Sequence, residues 1–245
     1  MTDTTLMMVT YDRLDLTKRT IEGLLKESAY FNLVIVDNGS TDGTVDWLKF
    51  NLVGNRFHKV FLSENKGIAI GRNIALAKAD EIKTSWYCTI DNDVEMPTGW
   101  LDECIQILEM NKGYGAIGVN MEDKPYSLVT KNGHTFQNKP AGNLGTACMV
   151  FRKQVHQMLG FFNTEYGAYG EEDADFGHRI RVAGFKMGYI ERMGVHLGSD
   201  EEDVNEYRKF KTKQHADNLA KFRQNCALYS QRKKPLHINF VNTFV

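Results

Sequence analysis

Two carboxylates stand one residue apart in Asp91-Asn92-Asp93, directly after the apolar run Trp86-Tyr87-Cys88-Thr89-Ile90 and ahead of Val94-Glu95-Met96-Pro97. Hard oxygen donors at a strand end suit Mg²⁺ or Mn²⁺, ions that keep open positions for substrate phosphates. A cation held there can neutralise a leaving diphosphate. An isolated Asp-x-Asp is most often a solvated turn, so its neighbours in the fold decide its meaning. His196, in Gly194-Val195-His196-Leu197-Gly198, follows the last expected strand. A single His between apolar residues is ordinarily packed, yet Mn²⁺ accepts imidazole nitrogen beside oxygen, which makes His196 a candidate third ligand.

A second acidic group, Tyr169-Gly170-Glu171-Glu172-Asp173-Ala174-Asp175-Phe176, puts four carboxylates within five positions at an expected helix start. Acids there complement the helix dipole, but four exceed what capping requires. Crowding raises a carboxylate's pKa, and a group transfer to a hydroxyl needs a base for the hydroxyl proton. Upstream, Val34-Ile35-Val36-Asp37-Asn38-Gly39-Ser40-Thr41-Asp42 breaks from a strand into a polar turn. Asp37 can accept a hydrogen bond from a base-ring N–H, and Gly39 lets the backbone approach a ligand; the same residues also make a plain turn and N-cap. In Asn65-Lys66-Gly67-Ile68-Ala69-Ile70-Gly71-Arg72 neither a Gly-x-Gly-x-x-Gly nor a Gly-Lys-Ser/Thr is present, which excludes a dinucleotide or P-loop signature. Arg72, one turn into the expected helix, can reach phosphate or base, or form a salt bridge.

The elements that must position these groups alternate. Leu6 to Thr10, Leu33 to Asp37, Lys59 to Leu62 and Trp86 to Asp91 read as strands separated by helices. Such a βαβ series implies a mostly parallel sheet flanked by helices, with ligands at the carboxyl ends of the strands. Around Tyr126 to Ala141 the pattern shifts to a β-excursion. Helices follow over Lys153 to Leu159 and Asp173 to Ala183, the second closed by Gly184 ahead of a strand from Phe185 to Ile190. From Glu201 to about Tyr229 a charged helix is expected, then a basic Gln231 to Lys234.

The chain has 245 residues and a formal net charge of -1, enough for one large α/β domain and without the basic field that drives nucleic-acid binding. Its four cysteines lack metal-ligand spacing and read as reduced thiols of a cytoplasmic protein. No signal peptide and no membrane-spanning apolar run is evident.

Taken in order, the strand with Thr10-Tyr11-Asp12-Arg13, Asp37-Asn38-Gly39-Ser40, Asn65-Lys66-Gly67, Asp91-Asn92-Asp93, Gly145-Thr146-Ala147-Cys148-Met149, Glu172-Asp173 and Arg179-Ile180-Arg181-Val182-Ala183-Gly184 resemble the inverting family 2 glycosyltransferases with the GT-A fold. The resemblance implies a catalytic domain over residues 1–198, with a nucleotide-binding half to about 120 and an acceptor half from about 121, and a helical extension over 199–245. It implies that Thr10, Tyr11, Arg13 and Asp37 line the nucleoside pocket and that Asn65, Arg72, Asp91 and Asn92 complete the donor site. Asp91, Asp93 and His196 would hold Mn²⁺ or Mg²⁺. Asp173 would be the general base, and Glu172 would bind acceptor or orient the site. The expected donor is a nucleotide diphosphate sugar, UDP-sugar first, and the acceptor a glycan or other hydroxyl. A sugar-phosphate nucleotidyltransferase and a non-catalytic sugar-nucleotide or glycan-binding module are the competing readings. In the tail, Tyr207, Phe210, Ala220, Phe222, Leu228 and Tyr229 suggest a helix packing one apolar face on the domain or on a second copy in a homodimer. Its basic end leaves a peripheral contact with the inner face of a membrane open.

Overall fold

Apolar runs too short for helices become adjacent strands, and the longer amphipathic stretches between them become the crossovers. The structure, a computed structural model, describes residues 3–122, 125–198 and 205–243, with side chains described from 209 onward in the last segment. β1 (Thr4–Thr10), β2 (Asn32–Asp37), β3 (Phe57–Phe61) and β4 (Trp86–Ile90) are joined through α1 (Leu14–Leu24), α2 (Thr44–Asn51) and α3 (Ile68–Ile82). All four strands run parallel, in the order β3-β2-β1-β4. Thr10 is in register with Asp37 and Met8 with Ile90, so the polar residues that end these strands share one edge.

Then the sheet changes character. β5 (Val94–Glu95) and α4 (Trp100–Met110) lead to β6 (Tyr114–Asn120), β7 (Leu128–Lys131), β8 (His134–Lys139) and β9 (Cys148–Arg152). After α5 (Lys153–Leu159), a 3₁₀ turn (Thr164–Tyr166) and α6 (Glu172–Val182), the chain forms β10 (Lys186–Met193), β11 (Val195–His196) and α7 (Asn205–Ser230). The nine-stranded order is β3-β2-β1-β4-β9-β6-β10-β8-β7. Parallel pairing is thus concentrated in the N-terminal strands, with β6–β10 the parallel pair beyond them. The rest is antiparallel, including the β7–β8 hairpin that fills the expected β-excursion. Asn132 and Gly133, at φ 49° and 83°, give that hairpin the left-handed two-residue turn that matches strand twist.

Alternation along β1 divides the core. Leu6 and Met8 pack with Ile21, Leu101 and Ile105 on one face of the sheet, and Met7 packs with Leu76, Phe176 and Ile180 on the other. β5 and β11 form a small antiparallel pair with His196 opposite Val94, which brings His196 beside the acidic end of β4.

α7 packs on α6, as a covering helix would, through part of the apolar set the spacing suggests: Tyr229 is buried and Phe222 and Leu228 are half-buried. Phe210 is 42% exposed, Ala220 is exposed and Tyr207 lies outside the described side chains. The buried positions are Asn218, Asn225 and Tyr229, so polar and aromatic side chains share the docking face. Past its end the chain returns along the domain: Ile238 bridges Gly160, its N–H donating to Leu159 O at 2.9 Å. Lys234, in the basic stretch, is turned inward to Glu165 Oε2 at 2.6 Å. Among the described residues no helix is long and apolar enough to cross a membrane.

Candidate active site

The carboxyl ends of β1 and β4 open into a cleft of about 950 Å³, walled on its far side by the start of α6 and by α7. Of the residues expected from sequence, Arg13, Arg72, Asp91, Asn92, Asp93, Glu172, Asp173 and His196 line it. Thr10, Tyr11, Asp37 and Asn65 are not part of that wall.

The loops around the cleft are fastened to one another before any ligand is considered. Asp12 and Arg13 both take left-handed backbone, φ 53° and 61°. Asp12 N–H donates to Ser40 Oγ at 2.7 Å, and Asp12 Oδ1 accepts from Thr41 N–H at 2.8 Å, which ties the loop after β1 to the loop after β2. Asp37 is buried, and its Oδ1 accepts the backbone N–H groups of Gly39 and Ser40 at 3.2 and 2.9 Å. Burial raises its pKa, with the Ser40 hydrogen bonds opposing. Asn65 Oδ1 accepts from Gly67 N–H and from Asn38 Nδ2, each at 2.9 Å. Asn92 Nδ2 donates to Thr10 Oγ1 at 3.1 Å and to Thr17 Oγ1 at 2.9 Å. Thr10 Oγ1, Asn65 Oδ1 and Asn92 Nδ2 are thus engaged in loop architecture, while Tyr11 is 40% exposed.

Two arginines hold the acids. Arg72, 7% exposed, donates from one nitrogen to Glu172 Oε1 at 2.5 Å and from the other to Asp91 Oδ1 at 3.2 Å, linking the end of β4 to the start of α6. Arg13 donates to Asp93 Oδ2 at 3.1 Å. Burial pushes the Asp91 carboxyl up, against the pull of Arg72, and neighbouring Asp93 adds to the rise. Burial also pushes Glu172 up, to about 7, with Arg72 again opposing. Glu172 Oε2 is buried and makes no hydrogen bond among the described residues.

The four clustered acids have separate fates. Glu171, in left-handed backbone at φ 70°, lies 3.0 Å from His215 Nδ1 on α7. Asp175 is wholly buried and accepts from Arg179 Nε at 2.7 Å, Tyr166 OH at 2.8 Å and Tyr229 OH at 3.1 Å, which makes it part of the core. Asp173 accepts the Ala174 N–H at 2.6 Å with Oδ1 and turns Oδ2 toward Gly145, where an added Cβ would lie 4.0 Å away. Asp173 lines the cleft together with Glu171 and Glu172. Tyr169 of the acid loop and Lys211 and His215 of α7 also line the cleft; nothing in the sequence around α7 marks the latter two, because their place comes from where a distant helix docks.

The expected convergence of Asp91, Asp93 and His196 is looser than the spacing suggests. His196 Nδ1 is 3.8 Å from Asp93 Oδ1, and among the described residues no group of three or more His, Cys, Asp or Glu is gathered closely enough to hold a metal ion. The reason is electrostatic: Arg13 and Arg72 draw the two aspartates toward separate cations. The donor set itself, two carboxylates and an imidazole, fits a hard divalent ion.

A parallel βαβ half ending in an acidic loop, joined to an antiparallel half that closes over it, defines a GT-A glycosyltransferase fold. Solved structures with this chain path include a mannosyltransferase from Pyrobaculum calidifontis in complex with GDP-Man and Mn²⁺, with a TM-score of 0.63 at 17% identity over 93% of this chain and 68% of that one. Another is S. aureus TarS 1-349 in complex with UDP-GlcNAc, with a TM-score of 0.64 at 14% identity over 94% of this chain and 74% of that one. The chain belongs to glycosyl transferase family 2, whose profile matches residues 5–162. It is also 29% identical over 126 residues to a Bacillus subtilis (strain 168) protein assigned to teichuronic acid biosynthesis as the glycosyltransferase TuaG; the match takes in 50% of this chain and 46% of that protein. The chain thus spans about half the length of that relative.

Proposed function

We propose that this chain transfers a sugar from a nucleotide diphosphate sugar, UDP-sugar first, to an acceptor hydroxyl with inversion at the anomeric carbon. The observation that carries this reading is the Arg72 bridge, which sets the acidic end of β4 and the Glu172-Asp173 pair across one cleft. The donor nucleoside lies toward the loops after β1 and β2, where Tyr11, Arg13 and the turn built by Asp37 lie. Asp91, Asp93 and His196 are the residues that would hold Mn²⁺ or Mg²⁺, which when bound supplies charge neutralisation at the diphosphate. Arg13 and Arg72 add fixed positive charge at the same end of the cleft. Asp173 takes the acceptor hydroxyl proton, a contribution of about 10²–10⁴-fold. Glu172, through its buried Oε2, accepts a hydrogen bond from a second acceptor hydroxyl. The hydroxyl attacks the face opposite the departing diphosphate, so the configuration inverts.

The test is a panel of UDP-, GDP- and dTDP-sugars with Mn²⁺ or Mg²⁺, read by thermal shift and by release of nucleoside diphosphate. Stabilisation together with release by at least one donor is the expected result. Pyrophosphate formed from a nucleoside triphosphate and a sugar phosphate would replace this reading with nucleotidyl transfer, and binding without release would replace it with a binding module.

A further inference from the structure

The acid loop that leads into α6 cannot support itself. Gly167, Gly170 and Glu171 all have positive φ, at 72°, 92° and 70°, and left-handed positions at this density break the regular pairing of backbone groups that a helix or hairpin would provide. Its carbonyls are satisfied from outside. Ala168 O accepts the Ile68 N–H at 3.1 Å, at the start of the helix that carries Arg72. On the opposite side one side chain on α7 does the rest: Asn218, 5% exposed, directs its Nδ2 at Tyr166 O at 2.6 Å, Tyr169 O at 2.9 Å and Gly170 O at 3.4 Å. The helix is seated so closely that a Cβ on Gly170 would come within 3.5 Å of His215 Cα.

We propose that Asn218 is a positioning residue for catalysis: from the C-terminal helix it fixes the backbone of residues 166–170 and through it the place of Glu172 and Asp173 in the cleft. This rests on the reading of Asp173 as the base. Asn218 touches neither donor nor acceptor. Its amide donates to three main-chain carbonyls of one loop, and that loop ends two residues before Glu172. Asn225, two turns further along the same buried face, makes a contrasting anchor. It donates to Tyr166 OH at 2.9 Å and Glu165 Oε2 at 3.3 Å, and so holds the helix to the domain without touching the main chain of the acid loop.

The experiment compares Asn218→Ala, Asn218→Gln and Asn225→Ala in the full chain by amide hydrogen exchange over residues 167–174, by nucleotide affinity measured with UDP and GDP in Mn²⁺, and by kcat and KM for release of nucleoside diphosphate. Asn218→Ala is expected to speed exchange in 167–174 by about 10-fold, the scale of a lost buried hydrogen bond, and to lower kcat by about 10-fold or more with donor KM and nucleotide affinity within about 2-fold. Asn218→Gln, which keeps the donors one methylene further out, falls between. Asn225→Ala is expected to lower Tm while leaving exchange in 167–174 and kcat near wild type. Unchanged exchange in 167–174, or a kcat that falls in step with Tm in both alanine variants, overturns the proposal. A wild-type chain that binds and turns over none of the nucleotide sugars would instead sink the functional reading, and the exchange data would still decide whether Asn218 holds the loop.

Discussion

Replacing Arg72 with alanine removes the one cation shared by Asp91 and Glu172. Its side chain is 8% exposed, that of Glu172 7%, so water cannot replace it at little cost. Breaking a buried pair by deleting one partner costs about 3–5 kcal/mol, because the remaining charge is left uncompensated. In a domain of this size each kcal/mol moves Tm by about 2–4 °C, so a fall on the order of 10 °C is expected at pH 8. The pH dependence is the sharper signature. The Glu172 carboxyl is raised by burial to about 7 from its ordinary 4.5, and Arg72 is the group that holds it down. An acid whose folded pKa lies above its unfolded one binds more protons in the folded state, so stability falls as pH rises through that window. Without Arg72 the folded pKa climbs further and the fall deepens. The gap in Tm between variant and wild type should therefore be wider at pH 8 than at pH 5, where Glu172 is neutral in both, by up to about 1.4 kcal/mol for the one pH unit above its value of about 7. Thermal unfolding followed by circular dichroism at the two pH values measures it, with Arg72→Lys recovering part of the loss. A gap equal at both values, or worth less than about 1 kcal/mol at pH 8, would refute the claim that Arg72 compensates buried carboxylates.

Further consequences follow from the same cleft. Asp173→Asn should lower turnover by about 10²–10⁴-fold with nucleotide affinity retained; full turnover in this variant would move the base to another group. Asp93→Ala should abolish Mn²⁺-dependent turnover while costing the fold no more than about 1 kcal/mol, the scale of a half-exposed ion pair, and undiminished turnover of the wild type in excess chelator would dispose of the metal reading.

What the sequence made legible was the edge and not the partners. Apolar runs ending in polar residues placed the C-termini of β1, β2 and β4 together, and parallel register then brought Thr10, Asp37 and Asp91 to one side of the sheet. Residue type could not say what each polar atom is bonded to. Thr10, Asn65 and Asn92 also fasten loops, a role their types do not announce. Asp173 and Asp175 sit two positions apart, about 200° around a helix, so they must point in different directions; which one faces the core is decided by Arg179, by Tyr166 and by Tyr229 from a helix far along the chain. The tail was legible in part: the apolar spacing picked out Tyr229, which is buried, together with Phe210 and Ala220, which are exposed, and it passed over Asn218 and Asn225, the buried polar residues seven apart on the docking face.

The two arginines of the cleft differ in a way that bears on how a donor would enter. Arg13 and Asp93 are partly exposed, with side chains at 29% and 16%, and such pairs contribute about 0–1 kcal/mol. Exchanging Asp93 for a diphosphate oxygen on Arg13, or Arg13 for a cation on Asp93, therefore costs the protein little. Arg72 is different: buried against Glu172 and Phe162, it cannot leave its carboxylates without the several kcal/mol that an uncompensated buried charge demands. In the proposed reaction the Arg13–Asp93 pair is thus the part of the site that opens to ligands, and the Arg72 bridge is the part that stays. Because that bridge joins α3 to the start of α6, and Asn218 holds the preceding loop from α7, the base proposed at Asp173 is fixed from two sides. On that proposal the geometry of transfer depends on α7 as well as on the domain that precedes it.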